Sequence, residues 1–328
     1  MQPPRYCATS ISRAKEFITH MFTIYEVPPG AAEFQEQMGS KSKFWYNDPL
    51  RGLTLFKEGR PGTGENWAEK LASELAQLMG LPHASYELAR YGERCGVLSP
   101  SFVPSSAELI HGNQLVGGRT TAIQDAEKLR FYRQRSHTVS RVFAYLKKHE
   151  DQLRVPQTYA HIDGIDKALD VFVGYLLFDA WICNQDRHDE NWGVVHDKGE
   201  LYLAPSYDHG SSLARTETDA RRTTMLTTKD KGASLEAFLA RARSALYPNV
   251  ASGIKSRAYL AFELVELMWK SYPNACLVWT RQLENISTKD IHELIEKIPN
   301  GYMTSVAEEF TAQLLISNQN RLIKFAKK

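Results

Sequence analysis

The sequence predicts an α+β protein of two lobes, a small mixed β-sheet with one key helix followed by a mostly helical lobe. Strand signals concentrate before about residue 103 and helix signals after about residue 125. Between them, residues 104–118 are rich in Pro, Ser, Gly and Asn, which predicts a connector rather than a packed element. We therefore expect one lobe over residues 1–103 and a second over residues 104–328.

The composition is that of an ordinary globular protein. Of its 328 residues, 43% are hydrophobic and 24% are charged, and the formal net charge is +2. Such a chain can bury one large or two modest cores, and its balanced charge predicts no direct nucleic-acid binding. The longest apolar run, residues 171–178, is too short to cross a bilayer, so we expect a buried helix there and no membrane span.

The N-terminus and the cysteines predict a cytoplasmic protein. The basic residues near the start are not followed by an apolar core and a small-residue cleavage site, as a secretory leader requires. The four cysteines stand far apart, without the paired spacing of a disulfide framework or a zinc site. This usage agrees with a reducing compartment.

The first lobe is predicted from alternating apolar runs around one helical segment. Asn66 is the predicted N-cap of that helix, Leu71, Leu75 and Leu78 form its apolar stripe, and Gly80 ends it. The elements expected here are strands at 43–46 and 53–57, a helix at 66–79, and strands at 84–88 and 96–99.

The second lobe is predicted from long helical patterns around one hairpin. The hairpin strands, 192–196 and 201–204, are joined by the turn signal at 197–199. A capping box of Ser305 and Glu308 is expected to open the last helix. The predicted helices are 125–149, 165–183, 234–246, 258–272, 288–298 and 304–326.

Three polar residues around the hairpin carry the strongest functional signal. Asp186 precedes Asn191 by five residues, and Asp208 follows on the far side of the hairpin. Protein kinases space their base aspartate, metal-binding asparagine and second metal aspartate in this way. An amide oxygen and a carboxylate beside nucleotide phosphates suit Mg²⁺. The spacing therefore predicts ATP and Mg²⁺ as cofactors, Asp186 as catalytic base, and a protein-kinase-like fold.

Two other interpretations of this loop stay open. Its charged residues could form a solvated loop after a buried helix, although the hairpin and Asp208 argue against that. A hydrolytic metal site of His188, Asp186 and His209 is also conceivable, but such loose spacing recurs by chance. We place His188 in the catalytic group as a residue that holds the loop by hydrogen bonds.

A kinase also needs a cation on the phosphates, fixed by a carboxylate from a helix of the small lobe. Lys57 ends an apolar predicted strand, and Glu69 lies in the helix that follows. Glu74 is the competing partner, which the sequence does not exclude, and Glu69 is preferred.

Two further segments are candidates for nucleotide contacts by their position. A turn with free backbone N–H groups before the first strand could cover the phosphates, and it comprises Gly39, Ser40, Lys41 and Ser42. The end of the fourth strand is where an adenine would meet the interlobe backbone, at Ser101, Phe102 and Val103.

With these motifs the chain resembles the HipA-type serine/threonine kinases, a family of bacterial toxin kinases and related short effector kinases. The resemblance covers most of the chain, without the additional N-terminal subdomain of the full-length toxins. The motifs that carry it are residues 55–57, 68–75 with 79–81, 184–191 and 203–208.

The resemblance implies roles for the matched residues. Lys57 would contact the ATP phosphates with Glu69 as its partner, Asp186 would be the base, and Asn191 and Asp208 would bind magnesium. It further implies a toxin or effector kinase that autophosphorylates, with Ser40 and Ser42 as candidate sites of inhibitory phosphorylation.

The expected partners follow from the same resemblance. They are a protein substrate with a serine or threonine acceptor, such as a translation-related enzyme, and an antitoxin or other regulatory protein. An effector would be delivered from the cytoplasm into a host cell.

Two alternative functions stay open. Residues 209–212 also resemble metal-site segments of phosphoinositide kinases, which would make the chain a lipid kinase, although no basic amphipathic membrane helix is evident. The second alternative is a nucleotide-binding regulatory module with little catalysis. The presence of all four kinase residues, Lys57, Asp186, Asn191 and Asp208, argues against it.

Overall fold

A computed structural model describes residues 21–33, 43–116, 136–248 and 257–327. The turn predicted to cover phosphates lies outside these residues, with Gly39, Ser40, Lys41 and Ser42. The first part of the helix predicted at 125–149 lies outside them as well. None of the described helices combines the length and apolar character that a bilayer crossing requires.

The first sheet has the strand order β1-β4-β5-β3-β2. It is mixed, because β1 runs parallel to β4 while the other neighbours are antiparallel. The predicted strands are present, although β4 begins three residues later than expected, and β1 was not predicted. The strands are β1 Ile24–Glu26, β2 Lys43–Asp48, β3 Gly52–Glu58, β4 Glu87–Tyr91 and β5 Arg94–Pro100.

The helix of this lobe, α1, spans Glu65–Met79 and begins earlier than predicted. Its N-cap is Gly64, so the prediction of Asn66 was wrong. A Cβ at Gly64 would lie 2.2 Å from the ring of Trp67, so this close approach requires glycine. The predicted end is confirmed, since Gly80 has a left-handed φ of 70° that closes the helix.

The apolar face of α1 differs from the prediction in one residue. Leu71 and Leu75 are buried as expected, but Leu78, close to the C-terminal end, is 42% exposed. Met79 is buried in its place. The helix therefore buries its apolar face up to its last residue but leaves Leu78 uncovered.

The second sheet has the order β6-β8-β9-β7 and contains the predicted hairpin. Its two-residue turn, Lys198 and Gly199, has φ values of 52° and 86°, the positive φ pair that matches a tight hairpin. The prediction of a connector over residues 104–118 was wrong for residues 107–111, because β6 pairs with β8 along its whole length. The strands are β6 Ala107–His111, β7 Leu153–Arg154, β8 Gly193–Asp197 and β9 Glu200–Leu203.

Helices make up most of the rest. Thr138 caps α3, so the helix expected at 125–149 does not run through this residue. Thr304 rather than Ser305 caps the last helix, and α5 and α8 were not predicted. The helices are α2 Gly112–Val116, α3 Val139–Lys148, α4 Ala168–Trp181, α5 Asp219–Thr227, α6 Leu235–Ala240, α7 Ala261–Ser271, α8 Pro273–Glu284, α9 Thr288–Glu296 and α10 Ser305–Ala326.

The centre of the main core is α4, which is apolar on all sides and packs against α3, α7, α8 and α10. Gly174 allows the closest approach, since a Cβ there would lie 2.5 Å from the indole of Trp279. That indole donates from Nε1 to the carbonyl of Asp170 at 2.8 Å. A helix fixed this firmly gives the loop that follows it a rigid origin.

Along the sequence, the chain passes from the first sheet to the second near the predicted lobe boundary. The first sheet ends at Pro100 and the second begins at Ala107. The division into residues 1–103 and 104–328 stays a prediction.

Candidate active site

The loop that carries Asp186 begins where α4 ends. Cys183 has a φ of 54°, and this left-handed residue turns the chain out of the helix. The amide of Asn318 in α10 donates to the carbonyls of Ala180 and Trp181 at 3.0 and 3.1 Å. Because these carbonyls lack partners within the helix, Asn318 stabilises the end of α4 and the start of the loop.

A buried ion pair holds the loop, and the sequence reasoning missed it. Arg187 is buried and binds the carboxylate of Asp179 through Nε and through Nη2, the latter at 2.7 Å. The same Nη2 donates to Ser206 Oγ at 2.8 Å, and Nη1 donates to the carbonyl of Asn191 at 3.3 Å. One guanidinium therefore ties the end of α4, the loop and the segment after β9 together.

Asp186 and Asn191 lie in contact across this loop. Nδ2 of Asn191 donates to the Asp186 carbonyl at 2.7 Å, which leaves the amide oxygen on the other side of the planar group. The Asp186 side chain is 49% exposed, and its Oδ2 accepts from Ser211 Oγ at 3.0 Å. His188 Nε2 is 3.8 Å from Asp186 Oδ1, while its Nδ1 accepts from the N–H of Glu190 at 3.1 Å.

Asp208 follows the hairpin in a left-handed conformation, with a φ of 56°. Its N–H donates to Tyr86 Oη at 3.0 Å, across to the first lobe. Burial raises the pKa of the Tyr86 phenol well above its ordinary value, so this oxygen stays protonated. The strained backbone and the tyrosine together determine where the carboxylate lies.

Lys57 contacts two carboxylates at once. Its Nζ lies 2.6 Å from Glu69 Oε1 and 2.6 Å from Asp208 Oδ1. Glu74 instead pairs with Lys70 at 2.7 Å. Burial alone would lower the pKa of the Lys57 ammonium, but the charges of Asp208 and Glu69 raise that pKa well above its ordinary value. The lysine is therefore a charged group held on β3.

The second oxygen of Glu69 accepts from the N–H of His209 at 2.8 Å. Helix α1 is thus bound directly to the segment that carries Asp208. His209 is fully buried, and its Nε2 lies 2.6 Å from Ser206 Oγ. Burial, reinforced by the positive charge of Arg187, lowers the pKa of this imidazole well below its ordinary value, so it is neutral.

These contacts do not fit the alternative hydrolytic metal site. His209 uses Nε2 within the protein and is closed to solvent. In the described part of the chain, no group of three or more histidine, cysteine, aspartate and glutamate side chains could hold a metal ion. The metal ligands that the sequence predicts are the oxygens of Asn191 and Asp208. This hard, sparse set fits Mg²⁺, which takes few protein ligands.

The predicted adenine segment directly follows β5, the central strand of the first sheet. The N–H of Ser101 donates to the Leu53 carbonyl at 2.8 Å, and Ser101 Oγ donates to the Val103 carbonyl at 2.9 Å. Phe102 stacks on Tyr207, with ring centroids 5.4 Å apart. Tyr207 Oη in turn donates to the Glu190 carbonyl at 2.9 Å, so this segment contacts the catalytic loop through one aromatic pair.

The structure thus places Lys57, Glu69 and Asp208 in one contact group, and Asp186 with Asn191 in another. Side chains that the sequence reasoning did not assign hold these residues or the segments beside them. They are Tyr86, Asp179, Arg187, Ser206, Tyr207 and Ser211. One signal was available for Asp179. A carboxylate inside an otherwise apolar helix requires a buried partner, and Arg187 was the nearest cation in sequence.

Two solved structures share this fold. The Helicobacter pylori proinflammatory kinase CtkA aligns with a TM-score of 0.64 and 20% identity, covering 93% of this chain and 97% of that one. The chain of the Shewanella oneidensis MR-1 toxin–antitoxin complex of HipA, HipB and operator DNA aligns with a TM-score of 0.55 and 13% identity, covering 89% and 67%. At such identities the likeness concerns the fold alone, and it confirms the predicted two-lobed kinase-like α+β class.

One relative is similar in sequence. "Putative kinase Y4dM" of Sinorhizobium fredii is 27% identical over 205 residues, which cover 59% of this chain and 49% of that protein. The chain thus spans about half the length of this curated relative.

The sequence pattern of the HipA-like C-terminal domain matches residues 39–266. The match includes the candidate site residues from Lys57 to Asp208 and extends over well more than half of the chain. It confirms the resemblance drawn from the motifs. The chain belongs to the family of the HipA-like C-terminal domain.

Proposed function

We propose that this chain is a protein kinase of HipA type that transfers the γ-phosphate of magnesium ATP to serine or threonine hydroxyls. The observation that carries the proposal is the position of Lys57 Nζ, 2.6 Å from both Glu69 and Asp208, in the site that also contains Asp186 and Asn191. Phosphoryl transfer needs positioning and charge stabilisation above all, and these side chains supply both.

Lys57 would bind the phosphates. Its ammonium is permanently charged and tethered to Glu69, so its position is set before a nucleotide arrives. Asp208, whose side chain is 40% exposed, shares the same ammonium and is the more accessible partner. A nucleotide phosphate would therefore take the place of Asp208 on the lysine while Glu69 keeps its contact.

Asn191 and Asp208 would hold Mg²⁺, which when bound neutralises phosphate charge and aligns the phosphates. On the acceptor side, Asp186 would take the proton of the substrate hydroxyl. Its half-exposed carboxylate is accessible, and a base must come within about 2.6–3.2 Å of the oxygen that it deprotonates. The buried Arg187 keeps the loop in place without touching the acceptor.

The finer parts of the proposal rest on family membership. We include autophosphorylation, a toxin or effector role and a regulatory protein partner. The support for a partner is that HipA, a structural neighbour, was solved together with HipB.

The test is transfer of labelled γ-phosphate to the chain itself and to lysate proteins, followed by mass-spectrometric mapping of the labelled residues. Asp208→Asn should abolish transfer, and Asp186→Asn should reduce it by about 10²- to 10⁴-fold. Asp163→Asn is the matched control, because that side chain is fully exposed. Unchanged transfer in both site variants would contradict the proposal, and unfolding curves establish that each variant is folded.

A further inference from the structure

The hydroxyl of Ser211 lies against the proposed catalytic base. Its Oγ donates a hydrogen bond of 3.0 Å to Asp186 Oδ2. The other oxygen, Oδ1, lies 3.8 Å from Nε2 of His188, which is too long for a hydrogen bond. Of these two neighbours, Ser211 alone therefore fixes the carboxylate.

A base at this position needs to be fixed. The Asp186 side chain is about half exposed, and the χ2 torsion of an aspartate has broad, shallow wells. Without a partner the carboxylate plane would turn freely. A donor on Oδ2 sets the plane and leaves Oδ1 to accept the proton of an incoming hydroxyl. Orientation of this kind matters, because a misplacement of 1 Å can cost about 10²-fold in rate.

Ser211 is itself held by a constrained backbone. The N–H of Leu213 donates to the carbonyl of Ile182, at the end of α4, at 2.8 Å. Leu213 and Ala214 have φ values of 55° and 49°, a conformation that is strained for residues with a side chain. Such strain persists only where the surroundings enforce it, and the fully buried Leu213 side chain shows that they do.

We propose that Ser211 is the positioning residue of proton transfer, an inference that rests on the kinase function proposed above. Ser211 acts on the acceptor through Asp186 and makes no contact with Lys57 or Glu69 among the hydrogen bonds described. Losing its hydroxyl therefore affects turnover and leaves nucleotide binding unchanged.

Steady-state kinetics with a peptide acceptor test this. Ser211→Ala should lower kcat by about 10- to 100-fold and leave the KM for ATP unchanged. Ser211→Thr, which keeps a hydroxyl on the same carbon, should restore kcat. The matched control is Ser212→Ala, because the Ser212 hydroxyl is buried and has no hydrogen-bond partner among the described residues. That variant should turn over like the wild type.

A double-mutant cycle separates positioning from a general structural effect. In an Asp186→Ala background, Ser211→Ala should cause no further loss, because the group through which Ser211 acts is gone. Equal losses in both backgrounds, or phosphate mapped on Ser211 itself, would overturn the inference. An active wild type with a fully active Ser211→Ala variant overturns this inference alone. An inactive wild type contradicts the proposed function and this inference with it.

Discussion

Both ring nitrogens of the buried His137 have suitable hydrogen-bond partners only when the imidazole is neutral. Its Nε2 accepts from the indole N–H of Trp192 at 3.0 Å, and its Nδ1 faces the carbonyl of Ala245 at 3.4 Å. If Nε2 were protonated as well, its N–H would face the N–H of Trp192, and this hydrogen bond would be lost. Burial, assisted by the charge of Arg187, lowers the pKa of His137 from 6.5 to about 4.

We therefore expect the protein to lose stability in mild acid. The unfolded chain protonates His137 below about pH 6.5, whereas the folded chain does not take up the proton until about pH 4. The contribution of neutral His137 to the free energy of unfolding is complete above pH 6.5. It falls by about 3 kcal/mol as the pH decreases from 6.5 to 4. Urea unfolding at pH 7 and pH 4.5 measures the loss.

His137→Gln should make that loss smaller, since an amide can accept from Trp192 and does not titrate. Part of the loss should remain, because burial also lowers the pKa of His209. His292→Gln is the control, because this side chain on α9 is exposed to solvent in the folded protein. An identical pH dependence in His137→Gln and the wild type would contradict the assignment.

Site residues were predictable from the sequence where the spacing between them indicates their function. Asp186, Asn191 and Asp208 stand out because a five-residue interval followed by a hairpin and a further aspartate seldom arises by chance. Arg187 and Ser211 do not, because their importance arises from contacts with Asp179 and Asp186 that only the folded backbone creates. A serine after a glycine is too common in sequences to be informative alone.

Helices and strands were predictable where one pattern dominates. The turn signal at 197–199 and the glycine after α1 placed a hairpin and a helix end correctly. The start of α1 was not predictable, since Gly64 is required by the ring of Trp67 rather than by any capping preference. Strand β6 was masked by its Pro- and Gly-rich flanks, and its pairing with β8 overrides local composition.

The packing of α4 against α8 predicts a costly substitution. Gly174→Ala should gain about 1 kcal/mol in helix propensity. The added methyl would, however, lie 2.5 Å from the Trp279 ring, which is fully buried and anchored through Nε1 to Asp170. Overpacking costs about 1–3 kcal/mol, so we expect a net loss of unfolding free energy in denaturant titrations.

Gly232→Ala is the control for the Gly174 variant. Gly232 lies in a loop, and its nearest atom to an added Cβ is a side-chain oxygen of Asp230 at 3.3 Å. A Gly174→Ala protein as stable as this control would show that α4 and α8 can move apart.

Within the described residues, the site is one of the places where the first sheet and its helix contact the rest of the chain. Lys57 on β3 and Glu69 on α1 contact Asp208 and His209, which follow the second sheet. The same residues are proposed to hold the nucleotide, so ligand binding and this contact share one set of charges. Binding should therefore stabilise the fold as a unit.

We expect a non-hydrolysable ATP analogue with Mg²⁺ to raise the unfolding temperature of the wild type. A ligand present at about 100 times its Kd stabilises the folded state by about 2.7 kcal/mol.

Lys57→Met removes the cation between Glu69 and Asp208, so this variant should melt at a lower temperature and lose most of the ligand-induced rise. Lys270→Met, at an exposed helix position, should keep the full rise. Because the comparison concerns the rise within each variant, a lower starting stability does not affect it. An equal rise in Lys57→Met and Lys270→Met would mean that the nucleotide binds away from Lys57, Glu69 and Asp208.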